Sequence, residues 1–256
     1  MNPSESIIQR SFNSVSWNFI SHIVRLVVSF TRTCILARLL PVGVFGIYGL
    51  STSLVSLTSV VASFGMAGAF IHRAPETENE DLTAAVHFTI KFCFTLIWLT
   101  IITTCILFFA SGEMKTPLLV ISITTGGIHL TQTPILILNR RVMHRRLALL
   151  SLCHDLISTP IVLFLAFKGF SLWALLSLNI IEICLNILLL YIWKPVWRPR
   201  FAWSHQIVRY FLKFGSRNFL AVALLRALNK IYQLWIGFFQ GIFSQGCPEK
   251  NIPATT

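Results

Sequence analysis

Arg25 and Arg32 stand seven residues apart in SHIVRLVVSFTRTCILARLL, residues 21–40, a run otherwise apolar enough to cross a membrane. On a helix, seven residues make about two turns, so both guanidinium groups lie on one face. At about 100° per residue, Ser14, Asn18, Ser21, His22 and Ser29 fall within the same arc of roughly 100°. Val24, Val27, Val28, Ile35 and Leu36 lie mostly elsewhere. A guanidinium at bilayer depth costs about 2.5–3.5 kcal/mol, so a stripe carrying two is expected to face away from lipid. It can face a water-filled cavity, a buried acid or an anionic ligand. The acids available within apolar runs are Asp155 and Glu182. Phosphate suits arginine, whose planar fork binds it in a bidentate manner. His22 adds a charge that varies with pH. Arg38, near the end of the run, can snorkel to the interface.

A second group lies in FLKFGSRNFLAVALLRALNKIYQLWIG, residues 211–237. Lys213 and Arg217 stand near its start, Arg226 and Lys230 further in. Arg25, Arg32 and Arg226 outnumber Asp155 and Glu182, so pairing with acids leaves cations for an anion. The candidate substrate-binding residues are therefore Arg25, Arg32 and His22 on the first run, with Arg226 and Arg217 opposite. No residue is a candidate catalyst.

The elements that position these side chains are apolar helices. Of 256 residues 55% are hydrophobic and 12% charged, and the mean hydropathy is +0.72. Soluble domains run nearer about 25% charged. Seven apolar spans can be drawn, at 15–39, 45–71, 85–110, 118–138, 147–167, 172–193 and 207–239, each long enough for a hydrocarbon core of about 30 Å. The expected fold is all-α, a polytopic bundle of transmembrane helices. Gly65 and Gly68 in the second span permit close helix packing. The fourth span has a polar middle, TTGGIHLTQTP, ending at Pro134, which predicts a kink or a cavity lining. MNPSESIIQR does not read as a cleaved signal peptide, so the first span is expected to act as an uncleaved insertion signal.

Loop charge sets the orientation. The N-terminus and the loops after the even spans carry Arg10, Arg73, Arg140, Arg141, Arg145, Arg146, Lys194, Arg198 and Arg200, nine cations. The loops after odd spans carry three, Arg38, Lys115 and Lys168. The bias places the N-terminus in the cytoplasm. Trp193, Trp197 and Trp203 around the sixth loop read as interfacial anchors.

Other chemistries find no support. There is no GxxxxGK[ST] phosphate loop, no GxSxG, no acidic metal-binding loop and no HExxH among the seven histidines. The six cysteines form no CxxC pair, and five lie in apolar runs, where they read as small buried hydrophobes. No metal, no cofactor and no enzymatic activity is expected. The net charge of +12 lies mostly between or inside apolar spans without a nucleic-acid reading motif, so nucleic acid is not an expected partner.

LARLLPVGVFGIYGL, residues 36–50, resembles the signature after the first helix of the polysaccharide-biosynthesis (Wzx-type) flippases, within the multidrug/oligosaccharidyl-lipid/polysaccharide exporter superfamily. FLKFGSRNFL, residues 211–220, resembles the opening of that family's seventh helix, and NKIYQLWIGFFQG, residues 229–241, its end. The likeness covers about residues 10–241. It implies a multi-pass protein of the bacterial inner membrane that flips a polyprenyl-pyrophosphate-linked oligosaccharide for O-antigen, capsule or exopolysaccharide synthesis, by alternating access of a cavity between two lobes. Residues 1–193 would be the first six-helix lobe, 194–206 a cytoplasmic loop, 207–239 the first helix of a second lobe and 240–256 an unpatterned tail. Membrane lipids, a second half-transporter or polysaccharide assembly proteins are the implied partners. Two departures stand out. Tyr232 occupies a position often acidic in the family, and the continuation after Gly241 is missing, which reads as truncation near residue 240. The alternatives are a related multidrug antiporter, a non-catalytic membrane subunit or inactive fragment, and a membrane glycosyltransferase, which the missing acidic loop motif disfavours.

Overall fold

Long apolar runs become helices in lipid because no water is present to satisfy a free backbone N–H or C=O. The computed structural model describes residues 3–72, 80–110, 112–141, 143–193 and 195–246. Its helices are α1 (Pro3–Leu39), α2 (Val42–Thr58), α3 (Val60–Ser63), α4 (Met66–His72), α5 (Glu80–Phe109), α6 (Lys115–Arg140), α7 (His144–Phe167), α8 (Ser171–Ile187) and α9 (His205–Gly246). A π-helical segment, Leu188–Trp193, continues α8. Among the described residues there is no strand. Arg73 in the loop after the second span, Lys194 in the sixth loop and the tail beyond residue 246 lie outside the described residues.

Six spans among the described residues are long and apolar enough to cross a membrane: Phe19–Leu39, Val42–Ser63, Glu80–Phe109, Gly112–Arg140, Arg145–Phe167 and Ser171–Trp193. The expected seventh span corresponds to α9, which is helical but not one of the six. Its lysines and arginines set it apart from the more apolar helices.

α6 is the central helix. It packs against α5, α8, α2, α7 and α4, and 56% of its apolar window is buried, against 11% for α1. This explains the polar middle of the fourth span. Its hydroxyls bond back to the helix: Thr124 Oγ1 donates to the Val120 carbonyl at 2.9 Å and Thr131 Oγ1 to the Ile128 carbonyl at 2.9 Å. Gly127 lets α8 approach, since a Cβ there would collide with the side chain of Ile183.

The second span, expected to be continuous, is broken. Phe64 has φ 42° and Gly65 φ 64°, left-handed values that end α3 and restart the chain as α4. Such a break at membrane depth survives only inside protein. Phe64 stacks on Phe94 of α5 at 5.1 Å and lies 5.5 Å from Phe219 of α9. Gly65 and Gly68 face α9: a Cβ at Gly65 would sit 3.3 Å from the Gly215 carbonyl, and one at Gly68 would sit 3.3 Å from the Phe214 ring. The break thus forms a seat for α9.

Two expectations are corrected. Trp197 is not an interfacial anchor but a core residue, 8% exposed. The chain before α9 folds back on the start of α5, where Trp197 and Phe201 pack on Phe88 and the Ala202 N–H donates to Thr89 Oγ1 at 3.2 Å. Cys34, Cys93, Cys105 and Cys184 are exposed on the bundle surface rather than buried within it. The reason is that a membrane protein's outer surface is itself apolar, so hydrophobic residue type does not imply an inward position.

At the end of the bundle Arg141 Nη2 donates to Glu80 Oε2 at 2.9 Å. The Glu80 carboxylate raises the Arg141 pKa above its ordinary value. Both side chains keep a third or more of their surface in solvent, so Glu80→Gln is expected to change unfolding free energy by no more than about 1 kcal/mol, measured by SDS titration of the purified protein.

Candidate functional site: buried cations of the bundle

α1 presents its polar stripe to α7, its principal packing partner. Arg25 Nε donates to Asp155 Oδ2 at 2.8 Å, and Arg32 Nη1 lies 3.7 Å from Asp155 Oδ1. The same Arg32 nitrogen donates to Ser158 Oγ at 3.2 Å. Asp155 is 6% exposed, and one carboxylate therefore serves two guanidinium groups. The partner is Asp155 rather than Glu182, because Asp155 and Ser158 lie one turn apart on the face of α7 that meets α1. His154 Nδ1 lies 3.5 Å from Asp155 Oδ1. Glu182 on α8 is half-buried and acts on this cluster at longer range. Tyr48 of α2 completes it, its hydroxyl accepting from Asn179 Nδ2 at 3.1 Å.

Two arginines against one close carboxylate leave a cationic surplus. Arg32 is nearly enclosed, with 12% of its side chain exposed, whereas Arg25 keeps 44%. Arg25 opens onto a cavity of about 300 Å³ lined also by Ser21, His22, Leu147, Ala148 and Ser151. Arg25 and His22 thus share a pocket, with Arg32 behind it. Arg217 and Arg226 lie on α9, which packs against α2, α3, α4 and α5. Arg217 is exposed. Arg226 is half-buried and donates from Nη1 to Ser59 Oγ at 3.1 Å, at the junction of α2 and α3. The five candidates therefore divide into an α1 group and an α9 group.

A sixth cation was missed in the sequence. Lys91 of α5 is 1% exposed. Its signal was plain, a single lysine within the apolar run of the third span. Among the described residues, no acid lies within ion-pair distance of Lys91 or Arg226.

A helical bundle with six membrane-length spans and a broken second span defines a multi-pass membrane protein. The chain belongs to the polysaccharide biosynthesis protein family, whose model matches residues 35–247. No curated protein and no solved structure matches the chain.

Proposed function

We propose that the protein flips a polyprenyl-pyrophosphate-linked oligosaccharide across the bacterial inner membrane for O-antigen, capsule or exopolysaccharide synthesis. The observation that carries this reading is the family match on a bundle whose inward-facing cations outnumber their close acids. Residues 1–193 form the first lobe and α9 begins the second. α1 and α9 line the path, with the N-terminus in the cytoplasm. No bond is made or broken. The pyrophosphate meets Arg25 and His22 at the α1–α7 pocket while Arg32, held on Asp155, keeps the local potential positive. Arg226 and Arg217 meet it from α9. Alternating access then carries the headgroup past the apolar core.

In a cell that depends on this gene for surface glycan, Arg25→Ala and Arg32→Ala should each lower glycan about tenfold or more at equal protein level, the factor lost with one charge-assisted hydrogen bond. Wild-type glycan in both mutants would discard the role of this pocket. Asp155 and Glu182 favour a second reading, a cation-exchanging drug antiporter. In that case the mutants keep their glycan and change drug resistance.

A further inference from the structure

The Asp155 cluster does not use the polar seam between α5 and α6. His87, Lys91, Thr95 and Trp98 fall on one face of α5 and are each no more than 3% exposed. Ser122, Gly126, His129 and Thr133 form the corresponding face of α6. One end is closed: His87 Nδ1 and Thr133 Oγ1 are hydrogen-bonded at 3.0 Å, between the rings of Phe70 and Phe211. Further along, a Cβ at Gly126 would sit 3.6 Å from Thr95 Cγ2, and the Trp98 and His129 rings meet edge-on at 6.0 Å.

The middle of this seam is unsatisfied. Thr95 Oγ1, Trp98 Nε1, Ser122 Oγ and His129 Nε2 are buried and have no hydrogen-bond partner among the described residues. Indole N–H and lysine ammonium only donate, and hydroxyls and one imidazole nitrogen can donate. Arg226 and His129 both lie within electrostatic reach of Lys91. Arg226 uses one nitrogen on Ser59, leaving other donors of its fork. Gln132 Oε1, beside His129, is a buried acceptor also left unpaired among the described residues. Against it stand two cations and several unpaired donors with no acid nearby, a lining suited to an anion, since a desolvated charge without a counter-charge is costly.

We propose that Lys91 and Arg226, with Trp98 Nε1 and Thr95 Oγ1 as neutral donors, hold a phosphate-type oxyanion. Lys91 stands on α5 and Arg226 on α9, so the anion ties α9 to the first six helices. With Lys91 sealed, the structure is the closed form, and the anion enters when α9 lifts from its seat on Phe64 and Gly65. That the seam takes an oxyanion stands on this geometry alone. That the oxyanion is the substrate's headgroup rests on the function proposed above.

The test is binding of inorganic pyrophosphate and of farnesyl diphosphate to the purified full-length chain in detergent, at constant ionic strength, read by calorimetry. Wild type should bind, and Lys91→Met should weaken binding about 10- to 100-fold, the loss of one charged hydrogen bond. Lys91→Arg should keep most of the affinity. Trp98→Phe, checked for an unchanged unfolding temperature, should weaken binding about 2- to 10-fold and guards against a folding artefact at position 91. Binding of farnesyl diphosphate alone identifies a lipid-borne phosphate, and binding of pyrophosphate alone a free one. Either supports the site. No binding to wild type, or equal binding to Lys91→Met, overturns it. A Lys91→Met protein that loses pyrophosphate but keeps surface glycan in cells retains the anion site and separates it from transport.

Discussion

Asp155→Ala is expected to destabilise the protein by about 3–5 kcal/mol, because it leaves Arg32 buried without its carboxylate. Arg32 carries most of this cost. Arg25, 44% exposed, is rehydrated at little expense. The measurement is the unfolding free energy from SDS titration of purified protein. A control separates pairing from packing. Replacing Arg25, Arg32 and Asp155 together with leucine should recover most of the loss, since an apolar triad needs no desolvated charge. The same variants divide structure from function: if the arginines served only to neutralise Asp155, the triple variant would retain surface glycan as well as stability. A loss below about 1 kcal/mol in Asp155→Ala would mean that these arginines hold another anion in the isolated protein.

Gly215→Leu is expected to unseat α9. Even a bare Cβ at Gly215 would stand 2.5 Å from the Phe64 carbonyl oxygen and 2.7 Å from Phe64 Cδ1. Phe64 has little freedom to yield, since its backbone is left-handed and its ring is held against Phe94 and Phe219. Overpacking of this kind costs about 1–3 kcal/mol for a few methylenes, and a whole leucine side chain exceeds that range. The readouts are unfolding temperature and disulfide cross-linking between cysteines placed on α4 and α9, with both falling. Gly46→Ala is the control. A Cβ at Gly46 meets nothing within 4 Å, and alanine in a helix is favoured over glycine by about 0.8–1.0 kcal/mol. Equal behaviour of the two variants would mean that α9 does not rest on the break.

The helices themselves were legible in the sequence because bilayer thickness sets a minimum apolar length. The first, fourth, fifth, sixth and seventh expected spans each fall within one helix or its direct continuation, and the third overruns α5 by one residue. The break at Phe64-Gly65 was not legible. GMAG looks like a small-residue packing face, and only neighbouring aromatic rings make the left-handed turn tolerable. Trp197 misled for a related reason. Tryptophan near a span end is usual at an interface, and burial depends on where the loop after α8 returns.

The site was half visible. The stripe of Arg25, Arg32 and His22 follows from helical period alone. Period says which side chains share a face, but a partner 130 residues away is reached only through the packing of α1 on α7. For Lys91 the sequence signal is an isolated charge in an apolar run.

By itself, the sequence determined an all-helical membrane chain of the polysaccharide biosynthesis family, with more basic than acidic residues in its apolar runs. These follow from hydropathy, periodicity and local motifs, each read over short distances. Tertiary structure decided how those charges are distributed. It places Asp155 between Arg25 and Arg32, and it leaves Lys91 and Arg226 without an acid among the described residues. The physical reason is that Coulomb energy and desolvation depend on separation and surroundings, and these exist only once helices distant in sequence have packed.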